Sequence, residues 1–220
     1  MRGQFISFEG GEGGGKSSQI KLLAEKLRAE GIDVIVTREP GGSEGAEQLR
    51  QLLLTGDIAS WSPISEALLF AAGRSDHLEK LIRPSLEKGI WVLCDRFLDS
   101  TRAYQGVAGQ VPQELIAAIE KYVIADDLPN RTYILDLDPK IGLARANARM
   151  AEINKVTPNL AEDRFEKMNM QFHLDLRQCY LDIAKNEPKR CLVINAEQSF
   201  DAIHNALWQD AQTLIKRAKA

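Results

Sequence analysis

The sequence predicts a three-layer α/β fold in which a five-stranded parallel sheet lies between two layers of helices. Short apolar runs alternate with longer helical stretches along the 220 residues, which is typical of a parallel sheet with helices on both faces. The runs are mostly apolar, as in strands that are buried on both sides. The first run leads through a glycine-rich loop into the first helix. We therefore expect a single domain over residues 1–220.

The predicted strands are short and lie between polar or glycine-containing segments. They cover residues 4–8, 32–37, 90–94, 132–137 and 191–195. The predicted helices cover residues 16–30, 45–55, 63–88, 112–125, 139–150, 162–186 and 199–217. Residues 150–161 form the least patterned segment, which is polar and contains Pro158. That segment is equally consistent with a mobile lid and with a plain surface loop.

Composition argues against several classes of function. The formal net charge of −3 and the pI near 5.7 do not favour a chain whose main partner is nucleic acid or an anionic membrane. The three cysteines lack zinc-like spacing, so neither a disulfide framework nor a metal site is expected from them. No apolar stretch approaches the roughly 20 residues of a membrane span, and no leader precedes the first run. We expect a cytoplasmic protein.

The most informative segment is the loop between the first strand and the first helix. It matches Gly-x-x-x-x-Gly-Lys-Ser, a pattern in which backbone N–H groups surround phosphate oxygens and the helix N-terminus adds partial positive charge. Lys16 is expected to reach the β- and γ-phosphates, and Ser17 to hold Mg²⁺. A flexible surface loop is the alternative. The expected phosphate-binding residues are Gly10, Gly11, Glu12, Gly13, Gly14, Gly15, Lys16, Ser17 and Ser18.

Other candidate residues follow the strand ends, where parallel sheets bind ligands. Asp95 and Arg96 end the third strand; the carboxylate can hold Mg²⁺, directly or through water, and the guanidinium can grip phosphate oxygens. Phe70 and Arg74 lie one turn apart on helix 63–88 and can hold a base by stacking and hydrogen bonds. A surface Asp–Arg pair and a core position for Phe70 are the alternatives.

Four motifs, taken in order along the chain, together resemble those of bacterial thymidylate kinases. They are Phe8-Glu9-Gly10 with Gly15-Lys16-Ser17, Thr37-Arg38-Glu39-Pro40-Gly41-Gly42, Leu69-Phe70-Ala71-Ala72-Gly73-Arg74, and Asp95-Arg96-Phe97 with Ser100-Thr101-x-Ala103-Tyr104-Gln105-Gly106. The resemblance implies a P-loop nucleoside-monophosphate kinase fold with a lid at about 142–166. It also implies transfer of the γ-phosphoryl group of ATP to dTMP, giving dTDP and ADP in dTTP synthesis, with Mg²⁺ as cofactor. A homodimer to which helix 63–88 contributes is implied as well.

The same resemblance implies roles for residues of the acceptor site. Phe70 would stack on thymine, and Arg74 would bond a carbonyl of the base. Tyr104 would lie under the sugar, where its ring leaves no space for a 2′-hydroxyl. The other substrate-binding residues that the resemblance implies are Glu9, Arg50, Arg96, Thr101 and Gln105.

Catalysis is expected to come from alignment and charge neutralisation, since the acceptor is already a phosphate anion that needs no dedicated base. Some members of the family have an arginine in the P-loop, where this chain has Glu12. Members with an acidic P-loop supply lid arginines instead, which favours Arg149 and Arg164, with Arg145 third; a solvated basic face is the alternative. The expected catalytic residues are Lys16, Arg96, Arg149 and Arg164.

Three other functions compete with this interpretation. A regulatory GTPase would need Asp-x-x-Gly, which does not occur in the sequence, and the Asn154-Lys155 pair lacks the aspartate of a guanine-binding motif. An ATPase stimulated by nucleic acid would need a basic track that the acidic balance does not supply. A kinase for another monophosphate, such as dUMP or CMP, is the nearest competitor, and only the resemblance argues against it.

Overall fold

Five parallel strands form one sheet in the computed structural model, which describes residues 1–54, 61–156 and 164–219. The strands are β1 (Phe5–Glu9), β2 (Val34–Arg38), β3 (Trp91–Asp95), β4 (Arg131–Asp136) and β5 (Cys191–Asn195). Their order across the sheet is β2-β3-β1-β4-β5, and every neighbouring pair is parallel. The carboxyl ends of β1 and β3 therefore meet at the centre of one edge.

Helices connect the strands and cover the sheet. The α-helices are α1 (Lys16–Ala29), α2 (Glu44–Leu54), α3 (Pro63–His77), α4 (Arg83–Glu87), α5 (Leu98–Ser100), α6 (Gln113–Ile119), α7 (Pro139–Val156), α8 (Met170–Asn186) and α9 (Phe200–Lys219). Wider π-helical turns join α3 to α4 over Leu78–Ile82, and they prolong α5 over Thr101–Ala108 and α6 over Glu120–Ile124. None of the helices in the described part of the chain is both long and apolar enough to cross a membrane.

The two faces of the sheet bury different helices, as the three-layer prediction requires. Ile6 and Phe8 of β1 belong to a cluster with apolar residues of α1 and α9. Phe5 points to the opposite face and packs in a cluster with residues of α4. Side chains from α8 pack beside that second face around Ile134 of β4. Both faces are covered, which confirms the predicted fold class.

One unpredicted helix and two helix boundaries that shift by more than two residues distinguish the structure from the sequence prediction. The helix that starts at Leu98 was not among the predicted helices. Its continuation buries side chains against α8, so tertiary packing stabilises a helix that the local sequence pattern does not predict. Helix α7 extends to Val156 instead of ending at 150. Helix α8 begins at Met170 instead of 162, because the side chain of Asn169 caps it by accepting a hydrogen bond from the Phe172 N–H. Residues 157–163 of the predicted lid lie outside the described residues.

Candidate active site

A cleft of about 300 Å³ opens at the carboxyl edge of the sheet, above β1 and β3. Such a volume suits small-molecule binding. Its walls come from the glycine-rich loop on one side and from α3 and the segment after β3 on the other. The predicted site residues that line it are Glu12, Gly13, Gly14, Gly15, Lys16, Ser17, Ser18, Arg50, Phe70, Arg74, Asp95, Arg96, Thr101, Tyr104, Gln105 and Arg149.

The glycine-rich loop has the geometry of a phosphate cradle. Gly13 has a φ of +69° and lies so close to the backbone of Gly142 in α7 that a Cβ atom would collide with its carbonyl oxygen. Gly15 precedes α1, and no side chain caps that helix among the residues the structure describes. The first N–H groups of α1 therefore lack a side-chain acceptor, which suits the binding of an anion.

Lys16 lies within the loop that it is expected to serve. Its ammonium group donates to the carbonyl oxygens of Gly10 at 3.1 Å and Gly11 at 2.7 Å. Burial, together with the nearby positive charge of Arg96, lowers the pKa of Lys16 to about 8. Because an anion beside the ammonium group favours its charged form, phosphate binding in the cleft would raise this pKa again.

Ser17 and Asp95 meet at the edge of the cleft. The Ser17 hydroxyl donates to Asp95 Oδ2 at 2.5 Å, joining the start of α1 to the end of β3. A hydroxyl and a carboxylate are oxygen ligands of the kind that Mg²⁺ prefers. The described residues contain no cluster of three or more His, Cys, Asp or Glu side chains arranged to hold a metal. The pair of Ser17 and Asp95 could hold a Mg²⁺ ion whose remaining ligands would come from phosphate and water.

Arg96 crosses from the end of β3 to the glycine-rich loop, with a left-handed φ of +67°. Its guanidinium donates to the Gly10 carbonyl at 3.0 Å and to Glu12 Oε1 at 3.0 Å. The same group lies 4.9 Å from the ring centroid of Tyr104, whose hydroxyl donates to Glu12 as well. Burial alone would raise the pKa of Glu12, but Arg96 and Lys16 hold it below its usual value. Glu12 is therefore the counter-ion of Arg96.

Glu9 lies behind Arg96 and does not line the cleft. Its carboxylate accepts hydrogen bonds from the Phe97 N–H at 2.8 Å, the Ser100 hydroxyl at 2.6 Å and the Tyr180 hydroxyl at 3.2 Å. Burial, and then the nearby Asp99, raise the pKa of Glu9 to about 7. In this conformation Glu9 supports the segment that carries Arg96, and its predicted contact with substrate stays a prediction.

The opposite side of the cleft combines an aromatic ring with a fixed guanidinium. Phe70 and Arg74 of α3 both line the cleft. Arg74 donates from Nε to Glu39 at 2.7 Å, from Nη1 to Thr101 at 2.8 Å and from Nη2 to the Phe97 carbonyl at 2.9 Å. These bonds hold the plane of the guanidinium in one orientation, 5.1 Å from the ring centroid of Phe97.

Two further predicted residues belong to networks around this pocket. Gln105 donates to Glu66 Oε1 at 2.8 Å, and both side chains are buried. Arg50 donates to the carbonyl oxygen of Pro40 at 2.6 Å while it lines the cleft. The structure thus brings Arg50, Thr101 and Gln105 to the same pocket, each already engaged with a protein group.

The three predicted lid arginines lie in different environments. Arg149 is exposed and lines the cleft. Arg145 points away and donates to the Ala196 carbonyl at 3.3 Å. Arg164 is buried, is paired with the second oxygen of Glu66 and donates to the Leu53 carbonyl at 2.9 Å. In this conformation only Arg149 faces the cleft, and Arg164 anchors the described end of the lid to α3.

Sequence reasoning gave no role to several residues that shape the site. Glu39 belongs to the motif from Thr37 to Gly42, but its contact with Arg74 forms only because α3 packs near the end of β2. Glu166 lines the cleft, where burial raises its pKa, and Ser100 and Tyr180 support Glu9. Tyr180 lies on α8, far along the chain from the residues that it contacts, so no local signal could have identified it.

Comparisons with known proteins agree on one family. A family model described as thymidylate kinase matches residues 8–207. A thymidylate kinase of Caulobacter vibrioides is 53% identical over 206 residues, which cover 94% of each chain. A thymidylate kinase of a Bradyrhizobium species is 48% identical over 219 residues, which cover 100% of this chain and 94% of that protein. A solved thymidylate kinase structure from Ehrlichia chaffeensis has a TM-score of 0.74 at 34% identity, covering 96% of this chain and 99% of the other.

Proposed function

The chain belongs to the thymidylate kinase family, whose members phosphorylate dTMP to dTDP with ATP, and we propose which of its residues carry out that transfer, and how. The observation that supports the proposal most strongly is a single cleft. The phosphate loop forms one wall of it, and the pair of Phe70 and Arg74 forms another. Two nucleotides that enter from these sides would meet at their phosphate ends.

On the donor side, we propose that the loop from Gly10 to Ser18 holds the phosphates of ATP. The uncapped start of α1 and the Lys16 ammonium supply positive charge to the β- and γ-phosphates. Ser17 and Asp95 would hold Mg²⁺, directly or through water. The ion supplies charge neutralisation between the donor phosphates.

On the acceptor side, the proposal assigns the thymine ring to Phe70 and a base carbonyl to Arg74. Tyr104 would lie under the deoxyribose, since its ring is packed at a T-shaped angle against Phe165 and cannot move aside easily. Arg96 and Arg50 would bind the dTMP phosphate. For Arg96 this requires a change of partner, because its guanidinium donates to Glu12 in this conformation.

Alignment and neutralisation then account for the transfer. The attacking phosphate oxygen of dTMP needs no base, so the chain has to bring two polyanions together and shield their charge. Lys16 and Arg96 both donate to the Gly10 carbonyl, so their positive charges lie together beside the proposed path. Arg149 is the lid cation that lines the cleft, and we propose it ahead of Arg164 as the group that contacts the transferring phosphoryl.

We also propose a homodimer. Helix α3 exposes Ile64 and Leu68 one turn apart, and Trp61 and Leu52 are exposed beside them. Such a patch is typical of a surface that another chain covers. Sedimentation of the purified protein tests this: a dimer that dissociates in the variant Leu68→Lys is expected, and a monomeric wild type would contradict the proposal.

Cytoplasmic location, without membrane or nucleic-acid partners, completes the proposal. Cys94, Cys179 and Cys191 are buried and free of disulfide bonds, as is usual in a reducing compartment. The acidic balance of the chain supports a partner list limited to ATP, dTMP and a second copy.

One coupled assay tests the central proposal. ADP formation from ATP and Mg²⁺ is measured with dTMP, dUMP, CMP and other monophosphates, each with and without DNA. We expect turnover with dTMP to exceed that with the ribonucleotides, and no stimulation by DNA. Turnover that prefers CMP, or ATP hydrolysis that depends on DNA, would contradict it.

A further inference from the structure

A buried chain of hydrogen bonds leads from β2 to the base side of the cleft. Thr37 Oγ1 lies 2.8 Å from His77 Nε2, His77 Nδ1 lies 3.1 Å from Glu39 Oε1, and Glu39 Oε2 accepts from Arg74 Nε at 2.7 Å. All four side chains are buried, and His77 is completely inaccessible to solvent. His77 itself does not line the cleft. Glu39 does line the cleft, so its carboxylate connects the imidazole to the proposed substrate site.

The chemistry of the partners fixes which imidazole nitrogen donates to Glu39. A carboxylate only accepts hydrogen bonds, so the His77 nitrogen that faces Glu39 must carry a proton. In the neutral ring the other nitrogen then accepts from the Thr37 hydroxyl, which can donate. Glu39 thus has one oxygen held by a histidine and the other by an arginine. A buried carboxylate held on both oxygens has little freedom to rotate.

The loop between β2 and α2 closes over this ring. Gly42 has a φ of +87°, and a Cβ atom there would collide with His77 Nε2 and Thr37 Oγ1. Glycine at this position lets the backbone lie directly against the imidazole. Within the motif from Thr37 to Gly42, Arg38, Glu39 and Pro40 line the cleft, whereas Thr37 and Gly42 lie against the imidazole.

We propose that His77 is a positioning residue of the acceptor site. By holding Glu39, it fixes the Arg74 guanidinium in the orientation that meets the base. The same loop holds a second acceptor-side arginine, because the Pro40 carbonyl accepts from Arg50. This inference rests on the proposed function, in which Arg74 bonds a carbonyl of thymine.

Two amide variants distinguish the hydrogen bond made by His77 Nδ1 from the one made by His77 Nε2. In His77→Asn the side-chain amide can occupy the place of Nδ1 and donate to Glu39, whereas in His77→Gln it reaches the place of Nε2, next to Thr37. Both variants lose the ring and so carry a similar packing defect. Only the asparagine keeps the bond that the proposal requires.

The expected result is a split between substrates and between variants. His77→Gln should raise the KM for dTMP about tenfold, which is what the loss of one hydrogen bond to a charged group corresponds to. Its KM for ATP and its kcat should stay near wild type. His77→Asn should keep most of the wild-type affinity for dTMP. The preference for dTMP over dCMP should fall in the glutamine variant alone, since cytosine carries an amino group at one carbonyl position.

Controls distinguish this inference from the function on which it rests. His204→Asn and His204→Gln, on α9 away from the cleft, control for the substitutions themselves. The dissociation constant for dTMP, measured by calorimetry, tests His77 without turnover. Equal effects of the two His77 variants, or equal changes in the KM values for dTMP and ATP, would overturn the inference. A wild-type protein that binds dTMP but forms no dTDP would contradict the proposed function instead.

If His77→Gln fails to fold, Glu39→Gln examines the next bond in the chain. An amide in place of the carboxylate keeps the size of the side chain. Its NH₂ group, however, must face either His77 or Arg74, both of which are donors, so one of the two hydrogen bonds is lost. We expect the same selective rise in the KM for dTMP. An unchanged KM for dTMP in a folded Glu39→Gln protein would overturn the inference.

Discussion

The two sides of the cleft differ in how ready they are for a ligand. On the proposed base side, Arg74, Thr101 and Gln105 are held in place by buried partners. On the phosphate side, Lys16 and Arg96 are bound to loop carbonyls and, for Arg96, to Glu12. Those partners stand where phosphates are proposed to bind. Under the proposed assignment, base recognition would be preorganised, whereas phosphate binding would require an exchange of partners.

The largest effect is expected from a substitution on the phosphate side of the cleft. Lys16→Ala should lower kcat by about three orders of magnitude, which corresponds to about 4 kcal/mol of lost transition-state stabilisation. Because the ammonium group is buried at some electrostatic cost, the melting temperature should not fall in proportion. Stopped assays of dTDP formation measure the first quantity and thermal unfolding the second. Turnover close to wild type would remove the loop from the mechanism.

The second prediction concerns how the buried carboxyl group of Glu9 makes the stability of the protein depend on pH. Between pH 4.5 and 7 the folded chain keeps a proton on Glu9 that the unfolded chain has released, since folding raises the pKa of Glu9 from 4.5 to about 7. The free energy of unfolding should therefore fall as pH rises through this window, by about 3 kcal/mol from this group. The variant Glu9→Gln has no such proton to lose. Urea unfolding of both proteins at several pH values measures the difference, and parallel pH curves would contradict the prediction.

Substitutions on the base side of the cleft should change the KM for dTMP more than kcat. Arg74→Ala should raise the KM for dTMP about a hundredfold, about 2.7 kcal/mol, with a far smaller change for ATP. It should also lower stability, because Glu39 would lose the cation that pairs with one of its oxygens. Arg74→Lys keeps the charge but loses the planar fork and should be intermediate. Equal changes in both KM values would contradict the division of the cleft into two sides.

The smallest effect is expected where the two sides meet. Tyr104 contacts Arg96 through its ring and Glu12 through its hydroxyl. Tyr104→Ala should reduce discrimination against ribothymidine monophosphate about tenfold, which corresponds to about 1.4 kcal/mol. Tyr104→Phe, which keeps the ring, serves as the matched control and should preserve the discrimination. The ratio of kcat/KM for the two nucleotides measures it, and an unchanged ratio in the alanine variant would exclude the steric account.

Sequence patterns predicted the strands and the strand-loop-helix order at the glycine-rich loop more completely than the contacts between distant residues. Buried strands and the loop from Gly10 to Ser18 are local signals, so their arrangement follows from a few consecutive residues. The bonds of Glu39 to Arg74 and of Glu12 to Arg96 join residues that are far apart along the chain. Charge and spacing alone do not reveal such partners, because both depend on how helices return to the sheet. The late start of α8 is an exception, since Asn169 is a recognisable helix cap.

The pairing of Glu12 with Arg96 has a consequence for inhibitors. Because it is part of the same chain, the Glu12 carboxylate competes with any incoming anion for the Arg96 guanidinium at a high effective concentration. Under the proposed assignment a nucleotide would have to displace it, whereas a neutral thymine-like compound that fills only the region of Phe70 and Arg74 would leave the pair intact. Uncharged molecules therefore have a way into this cleft that avoids the competition its natural acceptor faces.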